Sequence, residues 1–326
     1  MKDALQATAQ EEAVTTMKAV RIHDYGTPEV LQYEDAPRPR CGRGDILICV
    51  YAAGVNPIDA KIRQGATRKG VKYALPFVLG FDVSGVVEAV GSDVTSVKEG
   101  DEVFGRLDFE SPGAYAEYAI GTQSEIALKP RCLDHIQTAA VPLAALTAWQ
   151  GLFEVGKLQS GQTVLIHGAA GGVGHFAVQL AKWKGAHVIA TASGDGVGLV
   201  RSLGGDEVID YKAIDFEQAV CSVDVVLDVI GGETQKRSWQ TLKKGGVLVS
   251  TVGIADHDAP ATFGVRGESF LARADAQQLK EIARIIDEGR VRPIVSAVLP
   301  LEEARMAHEM IQTGSTRGKI VLKVRN

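Results

Sequence analysis

A glycine-rich segment in the middle of the chain has the residue types and spacing to bind phosphate. Residues 164–174 read VLIHGAAGGVG, an apolar strand-like run followed by small residues, and helix-forming residues come directly after them. Backbone N–H groups at a helix N-terminus, with no side chains in the way, bind the pyrophosphate of a dinucleotide. Ala169 stands where the usual fingerprint has its first glycine. The segment predicts a dinucleotide site whose residues include Ala170, Gly171, Gly172 and Val173.

The next predicted strand bears on which nicotinamide cofactor binds. An NAD site usually has an acidic residue at the end of this strand, which holds the ribose hydroxyls. Here the strand ends in residues 189–193, IATAS, and contains no acid. Small hydroxyl-bearing residues leave room for a 2′-phosphate, although the nearby Asp195 argues in the other direction. We expect NADPH to be the cofactor.

Two later strand-like runs end in small or apolar residues. Ile230 and Gly231 follow one run, and Val252 and Gly253 follow the other. Ligands of open parallel sheets bind at the carboxyl ends of the strands. This position favours Ile230, Val252 and Gly253 as cofactor contacts, although strand ends need no function.

The elements that must position these residues change character along the chain. Residues 17–143 form short β-prone runs separated by glycine and proline turns, which suggests a partly open β-barrel. Residues 144–290 alternate between strand and helix patterns, which predicts a parallel sheet. Residues 291–326 contain one further helix and a last strand. Two domains are also the expectation for 326 residues.

Composition restricts the class of protein. The formal net charge of -5 argues against a nucleic-acid surface, and no apolar run is long enough to cross a membrane. Residues 1–16 are polar and are read as an extension before the fold, not as a secretory signal. The four cysteines have no metal-binding or redox spacing, which suits packed residues in a reducing cytoplasm.

Several segments together carry a family resemblance. They are AGVNPIDAK at 53–61, LGFDVSG at 79–85, PLAALTAW at 142–149, the glycine-rich run, and RGKIVL at 317–322. In this order they resemble the medium-chain dehydrogenase/reductase superfamily, in particular its zinc-free quinone oxidoreductase branch. The resemblance implies an α/β fold in which a GroES-like β-barrel catalytic domain (17–143 and 291–326) is interrupted by a Rossmann NADPH-binding domain (144–290).

Two departures from the zinc enzymes of this superfamily bear on the chemistry. Asn56 stands where those enzymes have cysteine, and Phe81 stands where they have histidine. Neither side chain is a zinc ligand, and the remaining acids Asp59 and Asp82 do not complete a tetrahedral site. We therefore expect no metal. Without a Lewis acid the easier reactions are hydride addition to an activated C=C bond and reduction of a quinone.

The resemblance also assigns roles near the nicotinamide. Residues matching Asn56, Asp59 and Lys61 line the cleft, where Asn56 would donate to the substrate oxygen and Lys61 would supply positive charge or hold the ribose. Thr147 matches a nicotinamide contact. Structural alternatives remain: Asn56 in a turn, Asp59 as a helix cap, Lys61 in solvent and Thr147 facing the core.

At the adenosine end, Ser193 and Tyr211 match positions around the ribose and its 2′-phosphate. A lysine often found shortly after the serine position is missing, and Arg201 and Arg317 are the candidates to replace it. His167 and His175 flank the glycine-rich run but have no nucleophile or acid paired with them. We expect both histidines to be structural.

These readings predict a zinc-independent, NADPH-dependent oxidoreductase that reduces a quinone or an α,β-unsaturated carbonyl. Two alternatives remain open: a non-catalytic NADPH-binding protein of crystallin-like or redox-sensing type, and an enoyl-thioester reductase. The resemblance also implies a homodimer that joins the edges of two parallel sheets, with residues 263–271 supplying the edge. We expect the protein to be cytoplasmic, with neither nucleic acid nor membrane as a partner.

Overall fold

The computed structural model of the protein describes residues 15–66 and 73–325, so most of the predicted extension 1–16 lies outside the described residues. The first part of the chain is mostly strands, as its turn-rich sequence predicts. A short 3-10 helix, Pro28–Val30, precedes the second strand. The elements are β1 (Thr16–Ile22), β2 (Leu31–Pro37), β3 (Asp45–Val55), α1 (Pro57–Arg63), β4 (Phe77–Val78), β5 (Asp82–Val90), β6 (Glu102–Arg106), β7 (Tyr118–Thr122), β8 (Ile126–Leu128) and α2 (His135–Ala139).

Strands and helices alternate in the middle of the chain. A 3-10 turn, Trp239–Thr241, follows the seventh helix. The elements are α3 (Pro142–Trp149), β9 (Thr163–Ile166), α4 (Gly174–Trp183), β10 (His187–Ala192), α5 (Asp195–Ser202), β11 (Glu207–Asp210), α6 (Phe216–Ala219), β12 (Val223–Asp228), α7 (Gly232–Ser238), β13 (Leu242–Ser250), α8 (Ala259–Phe263), β14 (Arg266–Ser269) and α9 (Ala276–Asp287).

The helix that begins with α3 changes type part of the way along. Residues Gln150–Val155 form a π-helical turn after α3, in which the N–H of Gly156 donates to the carbonyl of Gly151 at 2.9 Å. The side chains of Leu227 and Phe270 lie against Gly151. A wider turn at this point joins α3 to the sheet without a break in the helical backbone.

The six strands β9–β14 form one parallel sheet in the order β11-β10-β9-β12-β13-β14. This is the doubly wound order of a Rossmann fold, and the strand order reverses between β9 and β12. Val164 and Ile166 of β9 pack into one apolar core, and Leu165 packs into another on the opposite face. Burial on both faces explains why β9 is continuously apolar in sequence. The predicted parallel sheet is confirmed.

The end of the chain returns to the first set of strands. β15 (Val295–Pro300), a 3-10 turn (Leu301–Glu303), α10 (Ala304–Gln312) and β16 (Lys319–Lys323) complete the chain. β16 runs antiparallel to the C-terminal half of β3, and β7 pairs with the N-terminal half. Seven strands, β3, β5–β8, β15 and β16, thereby share one sheet, and β1, β2 and β4 form a smaller one.

The predicted fold class is confirmed, but the predicted β-barrel is not. Among the described residues, β8 and β15 end the path of the seven-stranded sheet, which stays open. One strand, β3, pairs with two shorter strands, β7 and β16. Neither of them links β8 to β15, which a closed barrel would require. We propose 17–143 with 291–326, and 144–290, as the two domains, since β15 and β16 pair with the sheet of β3. No helix within the described ranges is long and apolar enough to span a membrane.

Candidate active site

The glycine-rich loop follows β9, next to the point where the strand order of the parallel sheet reverses. Gly168 adopts a φ of +61°, and its carbonyl accepts a hydrogen bond of 2.9 Å from the N–H of Gly171. Helix α4 begins at Gly174 against this turn, where an added Cβ would lie 2.2 Å from the Gly168 carbonyl oxygen. The loop thereby places a helix N-terminus at the edge of the sheet, where an anion binds.

A cleft of about 890 Å³ extends from this loop to α1 and the start of β16. Its volume is in the range of cofactor and ligand sites. All but two of the residues predicted for the site line this cleft; the exceptions are Asp59 and Gly253. Those that line it are Asn56, Lys61, Thr147, Ala170, Gly171, Gly172, Val173, Ser193, Tyr211, Ile230, Val252 and Arg317.

The charge of the cleft is one-sided. Among the described residues its lining contains five basic side chains and no acidic one: Lys61, Lys212, Arg237, Arg317 and Lys319. The last three are paired with carboxylates outside the lining. A concave surface of this kind concentrates anions, and a dinucleotide phosphate carries the matching charge.

At one end of the cleft, Ser193 and Tyr211 lie together at the ends of β10 and β11. The Ser193 hydroxyl donates to the Tyr211 hydroxyl at 3.1 Å, and the Tyr211 ring is half exposed. The Arg317 guanidinium lies beside them and binds the Asp195 carboxylate at 2.7 Å. Arg201, the other predicted candidate for the missing lysine, is exposed on α5 and does not line the cleft. The acid that argued against NADPH is therefore neutralised by a cleft residue.

At the other end, Asn56 belongs to a buried polar group. Its Nδ2 donates to Oδ2 of Asp82 at 2.8 Å, and its Oδ1 accepts from the Lys319 ammonium. The Lys319 ammonium also lies 3.2 Å from Asp82 Oδ2 and 3.1 Å from the Val55 carbonyl oxygen. Asp82 Oδ1 accepts from the N–H of Leu143 at 2.7 Å. This group ties β3, β5, β16 and the start of α3 together behind the cleft.

Asp59 does not face the cleft with its neighbours on α1. Its carboxylate is fully buried and accepts hydrogen bonds from the backbone N–H of Asn56 at 2.7 Å and the Tyr115 hydroxyl at 2.9 Å. Burial raises the pKa of Asp59 to about 7. The helix-cap reading of Asp59 fits this geometry, because an acid three residues after the start of a helix reaches back to its first N–H. Lys61, two residues further along α1, is exposed and lines the cleft.

Thr147 and the strand-end residues give the middle of the cleft its surface. The Thr147 hydroxyl donates to the Leu143 carbonyl at 2.6 Å and keeps its acceptor lone pairs for another partner. Ile230 and Val252 are 55% and 46% exposed, and both line the cleft with apolar surface. Gly253 lies beside Val252 but turns its carbonyl to Gln235, outside the lining.

The two histidines next to the glycine-rich loop are both buried and hydrogen-bonded to other groups of the protein. His167 is buried between the hydroxyls of Thr191 and Ser238, at 3.0 and 2.9 Å. His175 is buried on α4, where its ring contacts the Gly171 carbonyl oxygen and the N–H of Ile294 at 2.9 and 3.2 Å. Burial lowers the pKa of each ring to about 4, so both are neutral near pH 7.

The buried imidazoles predict how stability depends on pH. Burial also lowers the pKa of His308 to about 3. An imidazole whose pKa is lowered by folding takes up a proton on unfolding, so its contribution to stability is present above pH 6.5 and lost as pH falls towards 4. Asp59 acts in the opposite sense, because its raised pKa makes ionisation unfavourable in the folded state. Glu125, whose pKa burial also raises, acts in the same sense as Asp59. The three imidazoles outweigh these two carboxyls, so the free energy of unfolding should fall in acid.

The variant His308→Leu tests this prediction. Urea unfolding gives the free energy of unfolding at neutral pH and at about pH 5. Between these two pH values, His308→Leu should lose about 2 kcal/mol less of this free energy than the parent protein. The matched control is His257→Leu, because His257 is exposed and should leave the pH dependence unchanged. An identical acid loss in the parent and His308→Leu would contradict the assignment.

The sequence alone did not single out Lys319 and Lys212. Lys319 belongs to the RGKIVL segment, and the available signal was a lysine directly before three consecutive apolar residues. Its partners Asn56 and Asp82 are 263 and 237 residues away, so spacing could not reveal them. Lys212 directly follows Tyr211 and is a second exposed cation, with Arg317, at the Ser193 and Tyr211 end of the cleft.

Comparison with known proteins agrees with this architecture. Residues 42–131 match the family described as alcohol dehydrogenase GroES-like domain, and residues 203–322 match the family described as zinc-binding dehydrogenase. The chloroplastic NADPH-dependent alkenal/one oxidoreductase of Arabidopsis thaliana is 37% identical, over 98% of this chain and 82% of that protein. The quinone oxidoreductase of Mus musculus is 34% identical, over 94% and 97%.

A solved structure extends the agreement to three dimensions. The quinone oxidoreductase from Coxiella burnetii superposes with a TM-score of 0.89 at 38% identity, covering 95% of this chain and all of that one. The similarity includes both the strands around β3 and the parallel sheet. The chain belongs to the medium-chain dehydrogenase/reductase superfamily, together with the quinone oxidoreductases and alkenal/one oxidoreductases that it resembles.

Proposed function

We propose that this protein is an NADPH-dependent reductase of quinones or α,β-unsaturated carbonyls. One observation carries the proposal: a cleft whose described lining consists of basic and neutral side chains joins a dinucleotide loop to an amide donor, Asn56. The names of its relatives support the same chemistry, since they describe an NADPH-dependent alkenal/one oxidoreductase and quinone oxidoreductases.

The residues of the cleft suit such a reduction. When bound, NADPH supplies a hydride to the electrophilic carbon of the acceptor. An N–H of Asn56 donates to the acceptor oxygen, where negative charge develops. Lys61 adds positive potential, and the apolar side chains of Ile58 and Leu143 exclude water from the same end. Solvent or a ribose hydroxyl provides the proton, because the described lining contains no acid to do so.

A catalytic zinc ion does not fit the residues at this position. Asn56 has an amide, which is not a zinc ligand. Phe81 has no ligand atom, and its buried ring packs against that of Phe109 with 4.9 Å between the ring centroids. Asp82 is the carboxylate next to Asn56, and the Lys319 ammonium already neutralises it. A divalent cation there would meet a fixed positive charge and too few ligands. Among the described residues no group of three or more histidine, cysteine or acidic side chains could hold a metal.

The first experiment follows the oxidation of NADPH by its absorbance, with chelator-treated protein and with benzoquinone, phenanthrenequinone and 2-alkenals as acceptors. We expect turnover with at least one acceptor class, and faster turnover with NADPH than with NADH. Tight NADPH binding without turnover of any acceptor would instead favour a binding or sensing role. Failure to bind either nucleotide would contradict the assignment of the glycine-rich loop.

The preference for NADPH should depend on Arg317. Arg317→Ala removes a cation from the adenosine end and also leaves the Asp195 carboxylate unpaired, so both changes disfavour a 2′-phosphate. We expect the ratio of kcat/KM for NADPH to that for NADH to fall by about 10- to 100-fold. Arg201→Ala is the matched control, because that guanidinium lies outside the cleft. Equal losses in the two variants would contradict this role.

Location and assembly are part of the proposal. We propose a cytoplasmic homodimer. The free cysteines support a reducing compartment, and the edge of the parallel sheet supports the dimer. β14 is that edge, and Phe263 and Leu271 beside it are 42% and 47% exposed. Pairing of β14 with a second copy would cover both side chains.

A further inference from the structure

Lys319 is a buried lysine with every donor in use. Its side chain is 3% exposed, and its ammonium contacts Val55 O, Asn56 Oδ1 and Asp82 Oδ2 at 3.1, 2.5 and 3.2 Å. An ammonium has three N–H groups, so none is left for a substrate. Whatever Lys319 does for a reaction, it does through these neighbours.

The neighbours fix the orientation of the Asn56 amide. Lys319 can only donate, and the ionised Asp82 can only accept, so Oδ1 of Asn56 must face the lysine and Nδ2 must face the carboxylate. One N–H of Nδ2 is used at 2.8 Å by Asp82. The other has no partner among the described residues, and Asn56 lines the cleft. Lys319 and Asp82 together therefore fix the orientation of the Asn56 amide in which one N–H stays available for a ligand.

The same contact polarises the amide. A positive charge on the carbonyl oxygen draws electron density away from the nitrogen, which makes the remaining N–H a stronger donor. The effect is large in a buried site, where water does not screen the charge. Asp82 is fully buried and is also held by Leu143 of α3, so the cation cannot drift from the amide. A fixed cation thus acts on the group that faces the substrate oxygen.

We propose that Lys319 is a positioning residue that orients and polarises Asn56, so that one amide N–H stabilises the oxyanion formed when a carbonyl or quinone acceptor is reduced. The inference rests on the proposed function. In a zinc enzyme the metal ion stabilises the negative charge on the substrate oxygen. Here Lys319 of the last strand would do so indirectly, through the amide of Asn56.

The test compares acceptors in Lys319→Met, which keeps the length of the side chain and removes its charge. Benzoquinone is the stronger hydride acceptor, so its transition state is earlier and carries less negative charge on oxygen than that of a 2-alkenal. Weakening the donor should therefore affect the alkenal more. We expect kcat for the alkenal to fall about 100-fold, kcat for benzoquinone to fall less than about 10-fold, and the Kd for NADPH to stay within about 3-fold. Lys323→Met, at the exposed end of the same strand, is the control and should match the parent.

Two further measurements separate this role from a merely structural one. In an Asn56→Ala background, Lys319→Met should add little further loss, because both changes remove the same donor. In the NMR spectrum of the nucleotide-free protein, the side-chain amide protons of Asn56 should move upfield in Lys319→Met. If Lys319→Met does not fold, the Lys319→Met/Asp82→Asn double variant, which leaves no unpaired buried charge, carries the same comparison.

Equal fractional losses for both acceptors, together with additive effects of Lys319→Met and Asn56→Ala, would overturn the role of Lys319 while leaving the reductase intact. A parent protein that reduces no acceptor would overturn the proposed function, and this inference with it. An unshifted Asn56 amide resonance in Lys319→Met would also overturn the inference, whether or not the parent turns over.

Discussion

Gly174→Ala should lower the affinity for NADPH by about 100-fold, equivalent to about 3 kcal/mol of binding free energy. The added methyl group would lie 2.2 Å from the Gly168 carbonyl oxygen and 2.6 Å from the Ala169 Cα, which are backbone atoms that cannot rotate away. The turn must open to relieve the contact, and the N–H groups at the start of α4 then no longer converge on a phosphate. Titration of nucleotide fluorescence measures the affinity directly.

Gly198→Ala is the matched control for this prediction. Gly198 lies on the exposed side of α5, and an added Cβ would have nothing within 4 Å. Alanine there should leave NADPH affinity unchanged and raise the free energy of unfolding by about 0.5–1 kcal/mol, because glycine is the poorer helix former. Unchanged affinity in Gly174→Ala would show that the cofactor does not depend on this loop.

Asp82→Ala should lower the free energy of unfolding by about 3–5 kcal/mol, the largest stability effect that we expect from one side chain. The substitution leaves the Lys319 ammonium buried without its counter-charge and removes the acceptors of Asn56 Nδ2 and the Leu143 N–H. Unpaired buried charge is far more unfavourable than loss of an ion pair at the surface. Urea unfolding of the nucleotide-free protein measures the change.

A second acid on the same strand provides the comparison. Glu88 lies at the exposed end of β5 and pairs with Arg38 at the surface. Glu88→Ala should change stability by no more than about 1 kcal/mol, because water and salt screen such a pair. Similar losses in the two variants would mean that Asp82 and Lys319 are not a buried pair in solution.

The sequence predicted those parts of the site that are local in the chain. The glycine-rich loop, its flanking strand and its helix occupy consecutive residues, and their period and composition indicate the structure directly. The strand ends at Ile230 and Val252 were also predictable, because parallel strands bring their carboxyl ends to one edge. Asp275, directly before α9, caps that helix by accepting hydrogen bonds from the N–H groups of Gln277 and Gln278 at 3.0 Å.

Other parts depend on contacts between distant residues. Asp59 is three residues from Asn56, and the resemblance places both residues in the catalytic cleft. In the structure the Asp59 side chain lies on a different face of α1, and its carboxylate is in the core beside Tyr115. The β-barrel was not confirmed because strand pairing, which local patterns do not specify, left β8 and β15 as edges. The pairing of Lys319 with Asp82 belongs to the same class, since only the completed sheet brings β16 to β3.

That pairing also orders the events of synthesis. The strands of the nucleotide sheet emerge from the ribosome before residue 319, so they can assemble while the chain is still growing. Asp82, in contrast, has no cation to neutralise it until β16 emerges and docks along β3. A nascent chain therefore acquires its dinucleotide loop early and its complete cleft only at the last strand. A chain whose translation stops before residue 319 has no lysine to pair with the Asp82 carboxylate. We expect such a chain to be less stable than the complete one.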